Sequence, residues 1–252
     1  MKKITLILYM MALSFLLMIS SITCDAQNPQ SKGGKKGQQA DITRINISLD
    51  NVTSISQPSL TRNMYFIFDG SGSMAASPDK FCKGNKRFRR KIDGAKWAVK
   101  EFLKKVPKDI NIGLYVFDAK GTYEAVPLGP NNFARFIKAI NNVRPGGQTP
   151  LAASIKTGTN KLIEQYKKQL GYGEFRIIVV TDGIAEGIPG ASIYAAQRGI
   201  PIYAIGLCIG QNHPLRQWAV SYRAADNFSD LAKGLEETLA ETPVFDLKEF
   251  DK

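Results

Sequence analysis

The chain has 252 residues, with 34 Lys and Arg against 22 Asp and Glu and a formal charge of +12. That length allows one or two domains, and the charge points first to anionic partners: envelope polymers, lipid headgroups or acidic proteins. A single histidine and the lack of any Cys-x-x-Cys pair nearly exclude a thiolate–imidazole zinc site. No helix-turn-helix, zinc finger or aromatic RNA-binding signature accompanies the charge, so no nucleic acid is expected.

Residues 1–26 read as a signal peptide. Lys2 and Lys3 precede an apolar run from Ile4 to Ile19, broken only by Thr5 and Ser14. Small Cys24 and Ala26 then predict cleavage after Ala26. The alternative is an uncleaved anchor helix, which such a run is just long enough to support. Ser21, Ile22 and Thr23 match a lipidation signal poorly, which disfavours a lipid on Cys24. The protein is therefore expected to be exported, whether periplasmic, cell-envelope or secreted. Membrane contact is expected only through a lipidated Cys24 or an uncleaved signal. Cleavage removes Lys2, Lys3 and Asp25 and takes the charge from +12 to +11.

Residues 27–62 read as a basic linker with one short strand. Residues 27–40 carry no large apolar side chain and many Gly, Gln and Lys, a composition that cannot bury a core. Ile45, Ile47 and Leu49 alternate with polar residues, the period of a half-exposed strand.

From Asn63 strands and helices alternate. Residues 64–68 (MYFIF) form a wholly apolar run, as expected of a strand covered on both faces. After a basic loop, Ile92, Ala95, Val99, Phe102 and Val106 recur at helical spacing until Pro107. Strands are predicted at 110–117 and, more weakly, at 122–126, the latter closed by Pro127. Phe133, Phe136, Ile137, Ile140 and Val143 mark a second helix. Leu151, Ile155, Leu162, Tyr166 and Leu170 mark a third, ended by Gly171. FRIIVV (175–180) and PIYAIGL (201–207) are strands with a short helix between them. Ser229 can cap a last helix with Leu231, Leu235 and Leu239 facing inward. Residues 242–252 are left as a tail. The alternation argues an α/β fold: a Rossmann-like, doubly wound, mostly parallel central sheet with helices on both faces.

In such sheets ligands bind beyond the carboxyl ends of the strands. FIFDGSGSM places Asp69 at a strand end, with Ser71 and Ser73 on the loop beyond. VVTDG places Asp182 at another strand end, and GGQTPL places Thr149 at a helix start. Two carboxylates and three hydroxyls, without imidazole or thiolate, suit a hard divalent cation: magnesium first, calcium or manganese as alternatives. Five protein groups, some acting through water, leave room for one outside ligand. Taken singly, each of these residues is more ordinary as a turn former or helix cap; it is the combination that carries the reading.

Asp69-x-Ser71-x-Ser73, a distant Thr149, and Thr181-Asp182-Gly183 together resemble the metal-ion-dependent adhesion site of von Willebrand factor type A domains. The likeness spans 63–241. It implies a Rossmann-like fold in which Ser71, Ser73 and Thr149 offer hydroxyls to the metal. Asp69 and Asp182 would act directly or through water, and a partner's Asp or Glu would fill the remaining position. The expectation is a metal-dependent adhesion or scaffold module of the bacterial envelope. An accessory subunit of a larger envelope complex is the alternative. A metal-dependent hydrolase ranks below both, because no His adjoins a motif and neither a G-x-S-x-G elbow nor a G-x-x-x-x-G-K loop is present.

Three further features stand beside the motif. Lys80, Lys83, Lys86, Arg87, Arg89, Arg90 and Lys91 form a basic stretch, read either as a solvated loop or as a recruiter of acidic partners. Cys82 and Cys208 are either bridged or two unpaired small residues. His213 is expected on an exposed loop, and Trp97 and Trp218 in core or groove packing.

Overall fold

The computed structural model describes residues 60–78, 82, 87–209 and 212–239. The expected signal peptide, the Cys24 question, the linker with its short strand, the tail and part of the basic stretch lie outside these residues.

Among the described residues six strands form one sheet in the order β3-β2-β1-β4-β5-β6. They are β1 (Arg62–Asp69), β2 (Asn111–Asp118), β3 (Gly121–Gly129), β4 (Glu174–Thr181), β5 (Ile202–Leu207) and β6 (Ser221–Ala225). All pairings are parallel except β2 with β3. The helices are α1 (Lys91–Lys105), α2 (Phe133–Asn142), α3 (Leu151–Lys168), α4 (Ile188–Ala196), α5 (Leu215–Trp218) and α6 (Phe228–Glu237). This is the expected Rossmann-like α/β fold.

Successive side chains of a strand point to opposite faces, so β1 feeds two cores. Met64, Phe66 and Phe68 join Ile92, Val99 and Phe102 of α1, Phe136 of α2 and Leu231 of α6. Tyr65 and Ile67 join Leu151 and Ile155 of α3, Ile188 of α4 and Leu215 of α5. Burial on both faces is why β1 reads as an apolar run over 64–68 and β4 as one over 177–180. Among the described residues no helix is long and apolar enough to cross a membrane.

Several details differ from the sequence reading. β3 runs through Pro127 to Gly129; it is an edge strand, where a missing N–H breaks no ladder bond. α3 stops at Lys168, and Leu170 turns left-handed (φ 55°) before Gly171 (φ 84°). Leu170 is consequently exposed, and Tyr166, within the helix, is exposed as well. The cap of α6 is Asn227, whose side chain accepts from the Asp230 backbone N–H, and not Ser229. The strand β6 has no counterpart in the sequence reading, because Ser221, Tyr222 and Arg223 give no apolar run.

Candidate metal site

Strand order reverses direction between β1 and β4, since the chain runs outward from β1 to β2 and returns to β4 on the other side. Splayed connections at such a switch point open a crevice at the strands' carboxyl ends. Asp69 is the last residue of β1 and Asp182 follows the last residue of β4. The two carboxylates flank that crevice.

Asp69 is fully buried. One carboxylate oxygen accepts the Ser71 backbone N–H at 2.8 Å, and the other accepts the Thr181 hydroxyl at 2.6 Å. Burial, then the nearby Asp182 charge, push its pKa up to about 6 against the hydrogen bonds from Ser71 and Thr181. The loop beyond Asp69 enters a 3-10 turn (Gly72–Ala75) that sets Ser71 and Ser73 side by side, their hydroxyl oxygens 3.1 Å apart. Ser73 donates to one oxygen of Asp182 at 2.7 Å. Gly70 is required here: a Cβ would stand 2.7 Å from Val143 Cγ1 and 2.9 Å from Asp118 Cβ.

Thr149 opens onto the same place. A Cβ on Gly183 would lie 3.6 Å from the Thr149 hydroxyl and 3.7 Å from Asp69 Oδ2. All five expected ligands therefore surround one crevice. The loop 143–147 that carries the chain to Thr149 is stitched to the Asp69 loop, Gly146 N–H donating to Gly70 O and Gly72 N–H to Gly147 O.

Two neighbours were not expected. Lys91, the first residue of α1, is buried, and its ammonium lies 2.7 Å from the second oxygen of Asp182. It belongs to the site rather than to a solvated basic loop. His213 is also buried, not exposed. It stacks on Tyr222, accepts the Leu215 N–H at Nδ1, and reaches Gly183 O with Nε2 at 2.9 Å. With Nδ1 committed as acceptor, Nε2 carries the proton. Burial lowers its pKa despite the Gly183 contact, so a neutral imidazole braces the turn behind Asp182.

Cys82 and Cys208 are disulfide-bonded, with Cα atoms 5.1 Å apart. The bond joins the segment after Ser73 to the end of β5, across the end of β4 that carries Asp182. Trp97 packs by Phe88 beneath the Arg87 guanidinium, and Trp218 lines a shallow groove with Ile202 and Val220.

The residues fit a divalent cation. The donors are two carboxylates and three hydroxyls, and each carboxylate oxygen keeps a second lone pair beyond the hydrogen bond it accepts. Among the described residues no group of three or more His, Cys, Asp and Glu competes for a metal.

A mostly parallel sheet of this order, with Asp-x-Ser-x-Ser, Thr and Asp gathered at its switch point, defines a Rossmann-like α/β domain. The chain belongs to the von Willebrand factor type A domain family, whose model matches residues 63–240. It is 29% identical over 197 residues to the uncharacterized protein YwmD of Bacillus subtilis (strain 168), covering 70% of this chain and 83% of that one. Its fold is shared with an aerotolerance-related membrane protein from Bacteroides fragilis NCTC 9343 (TM-score 0.52, 15% identity, 69% of this chain and 96% of that chain). Manganese-loaded TRAP protein of Plasmodium vivax is similar too (TM-score 0.51, 16% identity, 72% of this chain and 74% of that chain).

Proposed function

We propose that this domain is a metal-dependent protein-binding module of the bacterial envelope, not an enzyme. Ser71, Ser73 and Thr149 offer hydroxyls and Asp69 and Asp182 carboxylates to a divalent cation, with magnesium preferred and calcium or manganese accepted. An Asp or Glu of a protein partner completes the coordination. The observation that carries this reading is the gathering of an all-oxygen donor set at the switch point.

Lys91 sharpens it. Two carboxylates would neutralise a divalent ion, and the buried ammonium then leaves the loaded site one positive charge in excess. An incoming carboxylate cancels that excess in a partly desolvated crevice, where the attraction is stronger than in water. The disulfide supports an exported protein, because such bonds persist in oxidising compartments. Manganese bound to the similar TRAP protein supports the cation class.

The test is calorimetric titration of magnesium, calcium and manganese into the mature domain beside an Asp69→Ala, Ser71→Ala variant. Saturable binding that the variant loses is the expected result. A folded wild-type domain that binds none of the three ions would overturn the proposal.

A further inference from the structure

Beside the candidate metal site lies a cleft of about 620 Å³ whose lining is cationic. Arg90 and Lys96 supply one wall, Lys120 and Arg144 another, with Ala75, Asn141, Asn142, Val143 and Pro145 between them. Ala75 is two residues beyond Ser73. Arg144 and Pro145 belong to the loop whose Gly146 and Gly147 bond to the Asp69 loop. Cleft and crevice therefore share a rim.

The charges in the cleft are held for different reasons. Arg90 pairs with Asp93 at 2.9 Å, and Lys96 donates to Asn141 O and Val143 O at the end of α2. Those two hold the wall in place. Lys120 and Arg144 form no ion pair among the described residues, and both side chains are exposed. Their backbones are anchored nonetheless. Asp118 is buried and accepts the Lys120 N–H at 2.8 Å, the Arg144 N–H at 3.1 Å and the Tyr123 hydroxyl at 3.2 Å. A buried carboxylate thus spends its bonding capacity presenting two cations, one a guanidinium fork suited to carboxylate.

We infer that this cleft is a second subsite for an acidic peptide segment. One carboxylate of the partner would meet the metal, and another acidic side chain of the same segment would reach Lys120 and Arg144 across the shared rim. This rests on the metal reading of the neighbouring crevice. A peptide is favoured over a uniformly charged polymer because the two positions differ in kind: a metal ion that Asp69, Asp182 and the three hydroxyls would hold, beside a pair of organic cations.

The experiment uses fluorescence anisotropy with two labelled, blocked decapeptides of Gly and Ser, one carrying a single Asp and the other an Asp followed three residues later by Glu. Both are titrated with the mature domain in magnesium or chelator, at low and high salt. A polyglycerol phosphate chain of matched charge is the third probe. The di-acidic peptide is expected to bind roughly fivefold more tightly than the mono-acidic one at low salt, as two exposed ion pairs allow. That preference is expected to collapse in a Lys120→Gln, Arg144→Gln variant whose melting temperature and magnesium affinity match the wild type. A preference that survives in the variant, or that never appears, overturns the subsite. Equal or tighter binding of the phosphate chain overturns its assignment to a peptide. Loss of magnesium dependence for both peptides would instead strike the metal reading and would show as absent calorimetric binding.

Discussion

Replacing Lys91 with Gln offers the sharpest test of the site's electrostatics. The ammonium is buried against Asp182 Oδ2 at 2.7 Å, with both side chains almost wholly excluded from solvent. A cation arriving at Asp182 meets one of two penalties. If the ammonium stays about 5 Å away, its repulsion of a divalent ion is about 7 kcal/mol at an effective dielectric of about 20. If it withdraws, the buried ion pair is broken, at about 3 kcal/mol. Both routes weaken metal binding and the cheaper one, withdrawal, sets the penalty, so Lys91→Gln is expected to tighten magnesium binding about a hundredfold. The same substitution leaves Asp182 beside Asp69 without its counter-charge and destabilises the metal-free domain by about 3 kcal/mol. For a domain of this size the melting temperature falls by about 6–12 °C in chelator, and saturating magnesium restores much of it. Calorimetry and melts with and without chelator read both effects. A folded variant with magnesium affinity within threefold of wild type would show that Lys91 is no competitor of the cation.

The raised pKa of Asp69 gives a pH dependence of defined sign. Magnesium affinity should fall as pH drops through about 6, because protons then compete for the carboxylate; calorimetry between pH 5 and 8, flat across that range, would contradict it. In the metal-free domain the same shift makes Asp69 favour folding fully below its ordinary value of 3.8, and that contribution, about 3 kcal/mol, is lost as pH rises through about 6. The disulfide closes a separation of 126 residues, worth about 5 kcal/mol by loop-closure entropy. Reduction, or Cys82→Ser with Cys208→Ser, should lower the urea midpoint accordingly, and a change under about 1 kcal/mol would refute the account. Gly94→Ala would place a methyl 2.3 Å from the Phe228 ring, where α1 packs on α6. The expected loss is about 1–3 kcal/mol, and an unchanged melting temperature would show that the ring moves aside freely.

Much of this site could be read from residue order. Asp69 and Asp182 end runs so apolar that only a doubly covered strand accommodates them, and strand ends are where such sheets bind ligands. Thr149 stood out through the helix start that Pro150 marks. Lys91 was hidden in a run of basic residues, since a charge run carries no sign of which member turns inward; only the placement of α1 under Asp182 reveals it. His213 lacked any periodic apolar context, and its burial depends on β6, an edge strand with no apolar run of its own. The bridge between Cys82 and Cys208 stayed open because two cysteines far apart in sequence carry no geometry until β5 is laid beside β4.

That bridge also changes what a cut in the chain would do. Four strands, α1 to α4 and the segments carrying Thr149 and Asp182 all lie between the two bonded cysteines. A protease that nicks any surface loop in that span leaves two fragments still tied covalently, and the packed cores hold them in register. In surroundings rich in hydrolases the domain can take one internal cleavage and stay in one piece, separating on a gel only after a reductant is added.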